Sequence, residues 1–510
     1  MEPVPAKIRQ AAVQDPFDRL PSLSNVGKYA QIITRFAPNP DFVIHLGSIR
    51  AVILSHDYAR KYKGKFILRF EDTDPRLKKS TLPYYDLVRE DVRWLECAWD
   101  EEYIQSDRVP IYYEHAAKII SLGQAYVCTC EPETFRTTIE SGQECPCRSK
   151  SVETNLEEWN KMLTGAFQEG QAVVRIKTDV QHPNPAIRDW PALRIIDPEK
   201  YPHPRVGSKY RVWPLYNFSA AIDDHLLSIT HIIRGKEHLT NALRQTYLYK
   251  HFGWIYPETV EYGRIRTTDI KLSKSLMVKQ VSEGVVSGYS DPRLPTLAAL
   301  RRRGYAPAAL RKIVYEIGPR AVDATLSWEN INATNRKEID KIAHRYNFIA
   351  NPVTMTVKDV PGRFEAHLPV HPDNPSLGTR DFVLDPINGI TRLMIARQDL
   401  EVLRKSKMVR LMELFNVEIG EANERGVEAK FQSKNYLEAR KHKAPLINWL
   451  PEVQNIPCEV VMPDASRVTG PVEKNIMREE TGTIIQMVRF GFGRIDSKEN
   501  SNVSIYYGHR

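Results

Sequence analysis

The stretch IITRFAPNPDFVIHLGSIRAVILSHDYARKYKGKFILRF, residues 32–70, contains the local patterns from which a fold class can be predicted. Its first part, 32–36, reads as a buried strand that stops at two prolines. Apolar residues then recur at helical spacing over 46–61, and Gly64 ends the pattern. The next apolar run, 66–70, reads as a second strand. Strand, helix and strand within about forty residues predict a βαβ unit, which is the building block of a parallel nucleotide-binding sheet.

The composition predicts a soluble protein of several domains. The chain has 510 residues, 42% hydrophobic and 26% charged, which predicts about three to five domains and excludes disordered, collagen-like and disulfide-framework proteins. No run approaches the roughly 18 apolar residues of a membrane span. The first residues lack the features of a secretory signal, so we expect a cytoplasmic protein without a membrane partner. The net charge of +9 is compatible with a polyanionic partner.

Changes of texture divide the chain into six predicted segments. They are an N-terminal arm (1–30), an α/β segment (31–125), an insertion with cysteines and short β-like pieces (126–210), a second α/β segment (211–290), a helical segment (291–345) and a tail of short strands and turns (346–510). Short strands separated by Pro, Asn and Gly turns are typical of small barrels. We therefore expect an α/β core followed by an all-β tail.

A phosphate-binding turn is predicted between the first strand and the helix. Its residues are Pro38, Asn39, Pro40, His45, Gly47 and Ser48. The N-terminus of a helix offers free N–H groups and a positive dipole end. A glycine lets the backbone approach a ligand closely, and a histidine can donate to phosphate oxygens as their charge shifts. By itself the pattern is weak, because a histidine at a helix start can be purely structural.

A second cationic cluster follows about 230 residues downstream. Its residues are Lys271, Ser273, Lys274 and Ser275. Two lysines with intervening hydroxyls on a mobile loop can neutralise a leaving pyrophosphate, because lysine supplies a point charge with three donors. Taken alone, the same residues could form an exposed loop without a chemical role.

Four of the six cysteines fall within twenty residues. They are Cys128, Cys130, Cys145 and Cys147. Two close pairs of thiolates can form a closed tetrahedral zinc site, which would be structural. The C-x-C spacing is tighter than the commoner C-x-x-C knuckle, so four reduced structural thiols remain the alternative. Cys97 and Cys458 are isolated, and we expect them in the core.

Together, and in this order, the two cationic clusters resemble the HIGH and KMSKS signatures of class I aminoacyl-tRNA synthetases. The surrounding sequence resembles the archaeal-type glutamyl-tRNA synthetases over roughly 31–500. The supporting stretches are 34–40, 69–75, 210–216, 230–238 and 447–450. The chain departs from the family at Phe42, where glycine is usual, at Ser48, where His or Gly is usual, and at Leu272, where Met is usual.

This resemblance implies the fold and the reaction. The two α/β segments would form a class I Rossmann-type parallel sheet with an inserted acceptor-binding domain, joined by the helical segment to an anticodon-binding β-barrel region. ATP with Mg²⁺ would activate L-glutamate as glutamyl-adenylate, and the glutamyl group would pass to tRNA(Glu), with release of AMP and pyrophosphate. Members of the subfamily activate glutamate only with tRNA bound. DNA is not an expected partner, and charging of tRNA(Gln) stays open.

The resemblance also assigns residues. His45 and Gly47 would contact the phosphates of ATP, and Lys274 with Lys271 the leaving pyrophosphate. The residues aligned with glutamate binding are Arg35, Ala37, Glu71, Tyr216 and Arg234. An arginine fork pairs bidentately with a carboxylate, which suits the substrate's γ-carboxylate. In the tail, the aromatic residues Trp449, Phe490 and Phe492 are candidates for stacking on RNA bases or, individually, for core packing.

Three other functions stay in view. Glutaminyl-tRNA synthetases share the architecture but carry a small neutral residue where this chain has Arg234, and a buried guanidinium facing a neutral amide would lack its counter-charge. A small-molecule nucleotidylyltransferase could use a similar His-x-Gly turn, without needing the lysine loop or the β tail. An RNA-binding paralogue without catalysis would not need His45 and Lys274.

Overall fold

The computed structural model describes residues 16–77, 80–270, 272–499 and 501–510. These residues form two compact units. One comprises the described chain up to Arg266 together with Ile313–Thr325, and the other comprises Thr267–Lys312 and Leu326–Arg510. Residues 1–15 of the predicted N-terminal arm lie outside the described residues. No helix within the described ranges is long and apolar enough to cross a membrane.

Three parallel strands in the order β1–β2–β3 begin the first unit. The elements are β1 (Ile33–Phe36), α1 (Ile49–Lys61), β2 (Lys65–Phe70), α2 (Leu82–Trp94), β3 (Glu101–Ile104) and α3 (Val109–Ser121). The predicted βαβ unit is confirmed. The helix begins three residues later than its apolar pattern suggests, because a 3₁₀ turn over Leu46–Ser48 precedes it.

An antiparallel sheet, ordered β4–β5–β6–β7, then interrupts the parallel one. Its elements are β4 (Ala125–Cys128), α4 (Pro132–Glu140), α5 (Val152–Thr164), β5 (Val173–Ile176), β6 (Pro191–Ile195) and β7 (Val212–Pro214). Its strands pack in one hydrophobic core with the large buried aromatic Trp190. The change from parallel to antiparallel pairing agrees with the insertion that the sequence predicts.

The parallel sheet resumes after the insertion. The elements are α6 (Tyr216–Leu226), β8 (His231–Gly235), α7 (Leu239–Phe252) and β9 (Glu258–Tyr262), and β8 pairs with β9 in parallel. Thr230 fastens β8 beside β1: its backbone N–H donates to the Ile33 carbonyl and its Oγ1 accepts from the Ile33 N–H, both at 2.9 Å. The layer therefore runs β3–β2–β1–β8–β9, a Rossmann-type arrangement, and the predicted fold class is confirmed.

Short helices dominate the next stretch. The elements are β10 (Ile265–Thr267), α8 (Lys274–Ser282), α9 (Leu297–Arg302), α10 (Pro307–Ile317), β11 (Ala324–Leu326), α11 (Trp328–Ile339) and β12 (His344–Tyr346). Two helices start at good N-caps, because Thr296 and Ser327 accept hydrogen bonds from backbone N–H groups three residues ahead. Within 291–345, where the sequence predicts a helical segment, the structure has the helices α9, α10 and α11.

The described tail contains two large sheets, ordered β20–β17–β18–β19–β13–β16–β21 and β12–β24–β25–β26–β22–β23, and a two-stranded antiparallel sheet, β14–β15. The tail elements are β13 (Pro352–Lys358), β14 (Phe364–Pro369), β15 (Thr379–Leu384), β16 (Thr391–Ala396), α12 (Leu400–Lys405), β17 (Met408–Leu411), β18 (Asn416–Asn423), β19 (Gly426–Ser433), α13 (Tyr436–Lys441), β20 (Leu446–Ile447), β21 (Leu450–Pro451), β22 (Asn455–Val461), β23 (Arg467–Glu473), β24 (Ile484–Met487), β25 (Gly491–Glu499) and β26 (Asn502–His509). Alternate residues of β13, namely Val353, Met355 and Val357, enter the core. The β tail is confirmed, with two short helices added.

Candidate active site

The turn between β1 and α1 is built around His45. Its Nδ1 accepts a hydrogen bond from the backbone N–H of Gly47 at 3.1 Å, and its Nε2 lies 3.4 Å from Ser48 Oγ. Because Nδ1 is an acceptor, the neutral ring carries its proton on Nε2. Phe42 is buried and packs edge-on to the imidazole, with ring centroids 6.2 Å apart. The side chain that departs from the family pattern thus packs against the histidine.

The carboxyl ends of β1, β2 and β8 meet at a cavity of about 370 Å³. The predicted site residues that line it are Arg35, Ala37, Asn39, Glu71, Tyr216 and Arg234. An adjoining cavity of about 290 Å³ shares Asn39, Glu71 and Tyr216 with the first. Ligands of open α/β sheets bind outside the carboxyl ends of the strands, so the cavity lies where the fold favours binding. The other predicted residues of the turn, Pro38, Pro40, His45, Gly47 and Ser48, do not line either cavity.

Arg35, at the cavity, is held by an acidic partner of the protein itself. Its Nε donates to Asp224 Oδ1 at 3.0 Å and its Nη2 donates to Oδ2 at 3.4 Å. Asp224 also accepts from Arg69 Nη1 at 2.7 Å, and Arg69 Nη2 donates to Glu71 at 2.9 Å. Asp223, 4.0 Å from Arg69 Nε and paired with Arg108 at 2.8 Å, extends the network. Three cations and three anions therefore form one connected network whose charges balance.

The same network separates two carboxyl groups by their pKa values. Burial raises the pKa of Glu71, and the guanidiniums of Arg69 and Arg35 offset only part of this rise. Burial also acts on Asp224, but the two arginines that hydrogen-bond it outweigh burial and lower its pKa. Asp224 is thus held as an anion, whereas Glu71 is a carboxyl group at the cavity that takes up a proton more readily.

Arg234, at the carboxyl end of β8, has a different environment. Its side chain is buried, with only 5% of the residue exposed. Nη1 donates to Gln245 Oε1 at 3.1 Å, and Nη2 donates to the Tyr256 hydroxyl at 3.0 Å. Both partners are neutral, Nε has no partner, and the described part of the chain offers this guanidinium no ion pair. Among the described residues, no carboxylate therefore lies at ion-pair distance from this buried positive charge.

Tyr216 begins α6 and faces the same cavity. Burial, reinforced by the charge of Glu71, raises its pKa to about 12. The phenol therefore keeps its proton at neutral pH and can donate a hydrogen bond to a ligand. His238 packs at a tilt against the Tyr216 ring, with centroids 5.8 Å apart.

The predicted lysine loop belongs to the second unit. Lys274 is the first residue of α8, Ser273 directly precedes the helix and Ser275 lies in its first turn. The two serine Oγ atoms are 3.1 Å apart. Lys271 lies outside the described residues. The roles given to Lys274, Ser273 and Ser275 therefore stay predictions.

The four clustered cysteines converge in the insertion. Sγ–Sγ distances are 3.7 Å for Cys128–Cys145, 3.5 Å for Cys130–Cys145 and 3.7 Å for Cys130–Cys147, and all four sulfurs lie within 4.8 Å of one another. A tetrahedral zinc ion about 2.3 Å from each sulfur spaces the sulfurs about 3.8 Å apart. The arrangement fits a closed zinc site. Against the effect of burial, hydrogen bonds from Thr129 lower the pKa of Cys147 to about 7.

Another group of potential metal ligands, His56, Asp57 and Cys97, does not share this spacing. His56 Nδ1 lies 2.6 Å from Asp57 Oδ1, and the second oxygen of Asp57 accepts from the Tyr315 hydroxyl at 2.7 Å. A separation of 2.6 Å is that of a hydrogen bond and is shorter than two donors around one metal ion permit. Cys97 is buried, as the sequence predicts, and so is Cys458.

Several residues of the site were not anticipated from the sequence. They are Ala51, Asp224, Glu237, His238, Asn241, Gln245, Tyr256 and Tyr262. For Asp224 a signal existed, since Asp223 and Asp224 are adjacent acids in an otherwise apolar helical pattern. Gln245 and Tyr256 belong to segments with ordinary composition, and only the fold brings them to Arg234.

Comparison with known families and proteins agrees with this geometry. The family model described as tRNA synthetases class I (E and Q), catalytic domain, matches residues 31–341, and that of the anti-codon binding domain of the same class matches residues 343–434. A solved glutamate tRNA ligase from Elizabethkingia meningosepticum is similar over 61% of this chain and 70% of its own, at 21% identity and a TM-score of 0.43. That likeness is too distant to support an argument.

Similarity to glutamate–tRNA ligases of archaea is much stronger. The glutamate–tRNA ligases of Pyrococcus abyssi and Pyrococcus furiosus are each 49% identical over 96% of this chain and 85% of their own length. That of Thermococcus kodakarensis is 48% identical over 94% of this chain and 83% of its own. The resemblance read from the motifs is confirmed: the chain belongs to the class I tRNA synthetases of the E and Q group.

Proposed function

We propose that this protein is a glutamate–tRNA ligase that charges tRNA(Glu). It uses ATP to activate L-glutamate as glutamyl-adenylate, and transfers the glutamyl group to the terminal ribose of the tRNA. Membership of the class I synthetases implies the use of ATP and Mg²⁺. The cytoplasm, as predicted from the sequence, is where we place the reaction.

The observation that carries this proposal is the unpaired charge of Arg234. A buried cation without a counter-ion is costly, and a carboxylate that enters the cavity relieves this cost. The planar fork of an arginine can hold both oxygens of the γ-carboxylate of glutamate. The amide of glutamine has no negative charge to offer, so the same position disfavours glutamine by about 3–5 kcal/mol, the usual cost of an unpaired buried charge.

The other polar groups of the cavity suit the rest of the amino acid. Glu71, when ionised, attracts the α-ammonium group, and the proton of the Tyr216 hydroxyl is available to the substrate. Arg35 has two of its three nitrogens engaged by Asp224, so its contribution to the γ-carboxylate is through Nη1. The α-carboxylate is left free to attack the α-phosphorus of ATP, and the protein acts by positioning and by charge.

The nucleotide end of the reaction rests on the turn before α1 and on the lysine loop. The Nε2–H of His45 is the donor that we assign to the phosphates of ATP, and Gly47 gives the backbone close approach. We assign Lys274, with Ser273, Ser275 and Lys271, to the departing pyrophosphate on the basis of the family motif. Mg²⁺ would accompany ATP as its counter-ion.

The sulfur spacing of Cys128, Cys130, Cys145 and Cys147 supports a structural zinc ion in the insertion. The ion would hold β4 to the loop after α4 and would take no part in catalysis. Elemental analysis of the purified protein should find one zinc per chain, and Cys128→Ser should lower that value. A protein purified without chelator that contains no zinc would refute the site in favour of four reduced thiols.

The second unit supports the tRNA part of the proposal. It contains a cavity of about 520 Å³ lined by Arg336, Arg489, Arg510, Phe490 and Phe492. Arg489 is paired with Asp399, which also lines the cavity, and basic and aromatic side chains suit an unstacked base. Trp449 is 1% exposed and donates its indole N–H to the Met412 carbonyl, so it is a core residue. Phe492 is also 1% exposed, which leaves Phe490 as the aromatic candidate.

The test is aminoacylation of purified tRNA(Glu) and tRNA(Gln), each offered both amino acids with ATP. We expect glutamate to be attached to tRNA(Glu), with pyrophosphate released, and glutamine to be a poor substrate. Preferred attachment of glutamine would contradict the assignment of Arg234, and absence of any charging would contradict catalysis.

A further inference from the structure

The guanidinium of Arg234 and two neighbouring side chains, those of Gln245 and Tyr256, form a closed triangle of hydrogen bonds. Arg234 donates to Gln245 Oε1 at 3.1 Å and to the Tyr256 hydroxyl at 3.0 Å, and that hydroxyl donates to the same Gln245 oxygen at 2.8 Å. Gln245 is 1% exposed, so its amide oxygen is shielded from water. Each member of the triangle is therefore held by the other two.

The direction of each hydrogen bond is fixed by chemistry. A guanidinium can only donate, so the Tyr256 hydroxyl oxygen must accept from it, and the Tyr256 O–H then donates a hydrogen bond to Gln245. Two donors then converge on one atom of the Gln245 side chain, which identifies that atom as the amide oxygen rather than the nitrogen. Burial raises the pKa of Tyr256, which keeps the proton that this arrangement needs.

The triangle orients the guanidinium without neutralising it. Arg35 lines the same cavity, but there the orienting partner is the carboxylate of Asp224, which also cancels the charge. At Arg234 the corresponding acceptors are an amide and a phenol. The fork is thus fixed in direction while its positive charge remains available to a ligand.

We propose that Gln245 and Tyr256 are positioning residues that set the selectivity for an acidic substrate, because they hold the Arg234 fork with neutral acceptors. This inference rests on the proposed function and extends it from the residue that touches the substrate to the pair behind it. The chemical identity of Gln245, and not only its hydrogen bonds, is what matters: a carboxylate in its place would occupy the charge that selects glutamate.

The deciding variant is Gln245→Glu, which is nearly isosteric and can accept the same two hydrogen bonds. Steady-state aminoacylation of tRNA(Glu) should show KM for glutamate raised about 30-fold, with kcat changed less than about threefold, because binding of the charged side chain is lost rather than the chemical step. The preference for glutamate over glutamine, as the ratio of kcat/KM values, should fall by a similar factor. A purely structural Gln245 would leave both quantities unchanged.

Thr246→Glu is the matched control, because it places the same charge on the next residue of α7, which is exposed. Its KM should stay within about twofold of wild type. Tyr256→Phe is the second variant, and should raise KM about fivefold by releasing the Gln245 amide; it decides the matter should Gln245→Glu fail to fold. If folded Gln245→Glu has the KM of the wild-type protein, this inference alone is overturned. The same holds for Tyr256→Phe if Gln245→Glu does not fold. If the wild-type protein does not charge tRNA with glutamate, both the proposed function and this inference are overturned.

Discussion

Arg35 and Arg234 lie on two sides of one cavity, and their surroundings differ in charge. The charge of Arg35 is compensated, since Asp224 accepts hydrogen bonds from both Arg35 and Arg69, and Arg69 also donates to Glu71. The charge of Arg234 is not compensated by its hydrogen-bond acceptors, since these are the neutral Gln245 and Tyr256. Two arginines at one cavity thus differ in their partners: Arg35 is paired with a carboxylate of the protein, whereas Arg234 is held by neutral acceptors.

The largest expected effect comes from removing the uncompensated charge of Arg234. Arg234→Cys should lower kcat/KM for glutamate by about 10³-fold, corresponding to about 4 kcal/mol of lost charge-assisted binding. The ratio of kcat/KM for glutamate to kcat/KM for glutamine should fall as well. Arg234→Lys keeps the positive charge but not the planar fork, so its kcat/KM for glutamate should lie between the values of the wild-type protein and Arg234→Cys. The measurement is aminoacylation of tRNA(Glu) with each amino acid. Unchanged glutamate kinetics in Arg234→Cys would contradict the assignment of Arg234 to the γ-carboxylate.

The two arginines should also differ in what they contribute to stability. Arg35→Met leaves the buried Asp224 with one partner fewer, so we expect the free energy of unfolding to fall by about 2–3 kcal/mol. Arg234→Met removes a buried cation that has no counter-ion, and should leave the free energy of unfolding unchanged or raise it. Denaturant unfolding of both variants without substrate measures this contrast, and equal losses would mean that the two regions are not different.

A smaller effect should appear in the pH dependence of glutamate binding. Because the pKa of Glu71 is raised and that of Asp224 is lowered, acidification protonates Glu71 first. KM for glutamate should therefore rise by about tenfold or less as the pH falls through the raised pKa, since the α-ammonium group loses its anion while the Arg35 pair stays intact.

The control for this pH profile is Glu71→Gln, which carries no titrating group at that position. Its KM should be higher than that of wild type at neutral pH and should lack the acid limb. An identical limb in the variant would assign the titration to another group.

The sequence predicted the elements that depend on local pattern. The run of apolar residues at 32–36 and 66–70 indicated two strands of a parallel sheet, and the cysteine spacing indicated a cluster; both are present. The motif residues Arg35, Glu71, Tyr216 and Arg234 do converge on one cavity. Local periodicity and short motifs suffice here because each reports on a few consecutive residues.

What the sequence could not predict depends on contacts between distant segments. Nothing in its pattern distinguishes Arg35 from Arg234, since the difference is made by Asp224, Gln245 and Tyr256, which the fold brings from other elements. The 3₁₀ turn at Leu46–Ser48 has a local cause instead, because its cap is the side chain of the preceding residue, His45. The apolar spacing used to place the helix carries no information about such a cap. The packing of Phe42 against His45 is also local, but it depends on the conformation of the turn, which the residue pattern does not give.

The most direct test of the central claim is a crystal structure of this protein with L-glutamate bound. We expect both γ-carboxylate oxygens within hydrogen-bonding distance of the Arg234 nitrogens, with Gln245 and Tyr256 still holding the guanidinium and with Asp224 still paired to Arg35. A γ-carboxylate bound elsewhere in the cavity, with Arg234 left facing its two neutral partners alone, would contradict the account.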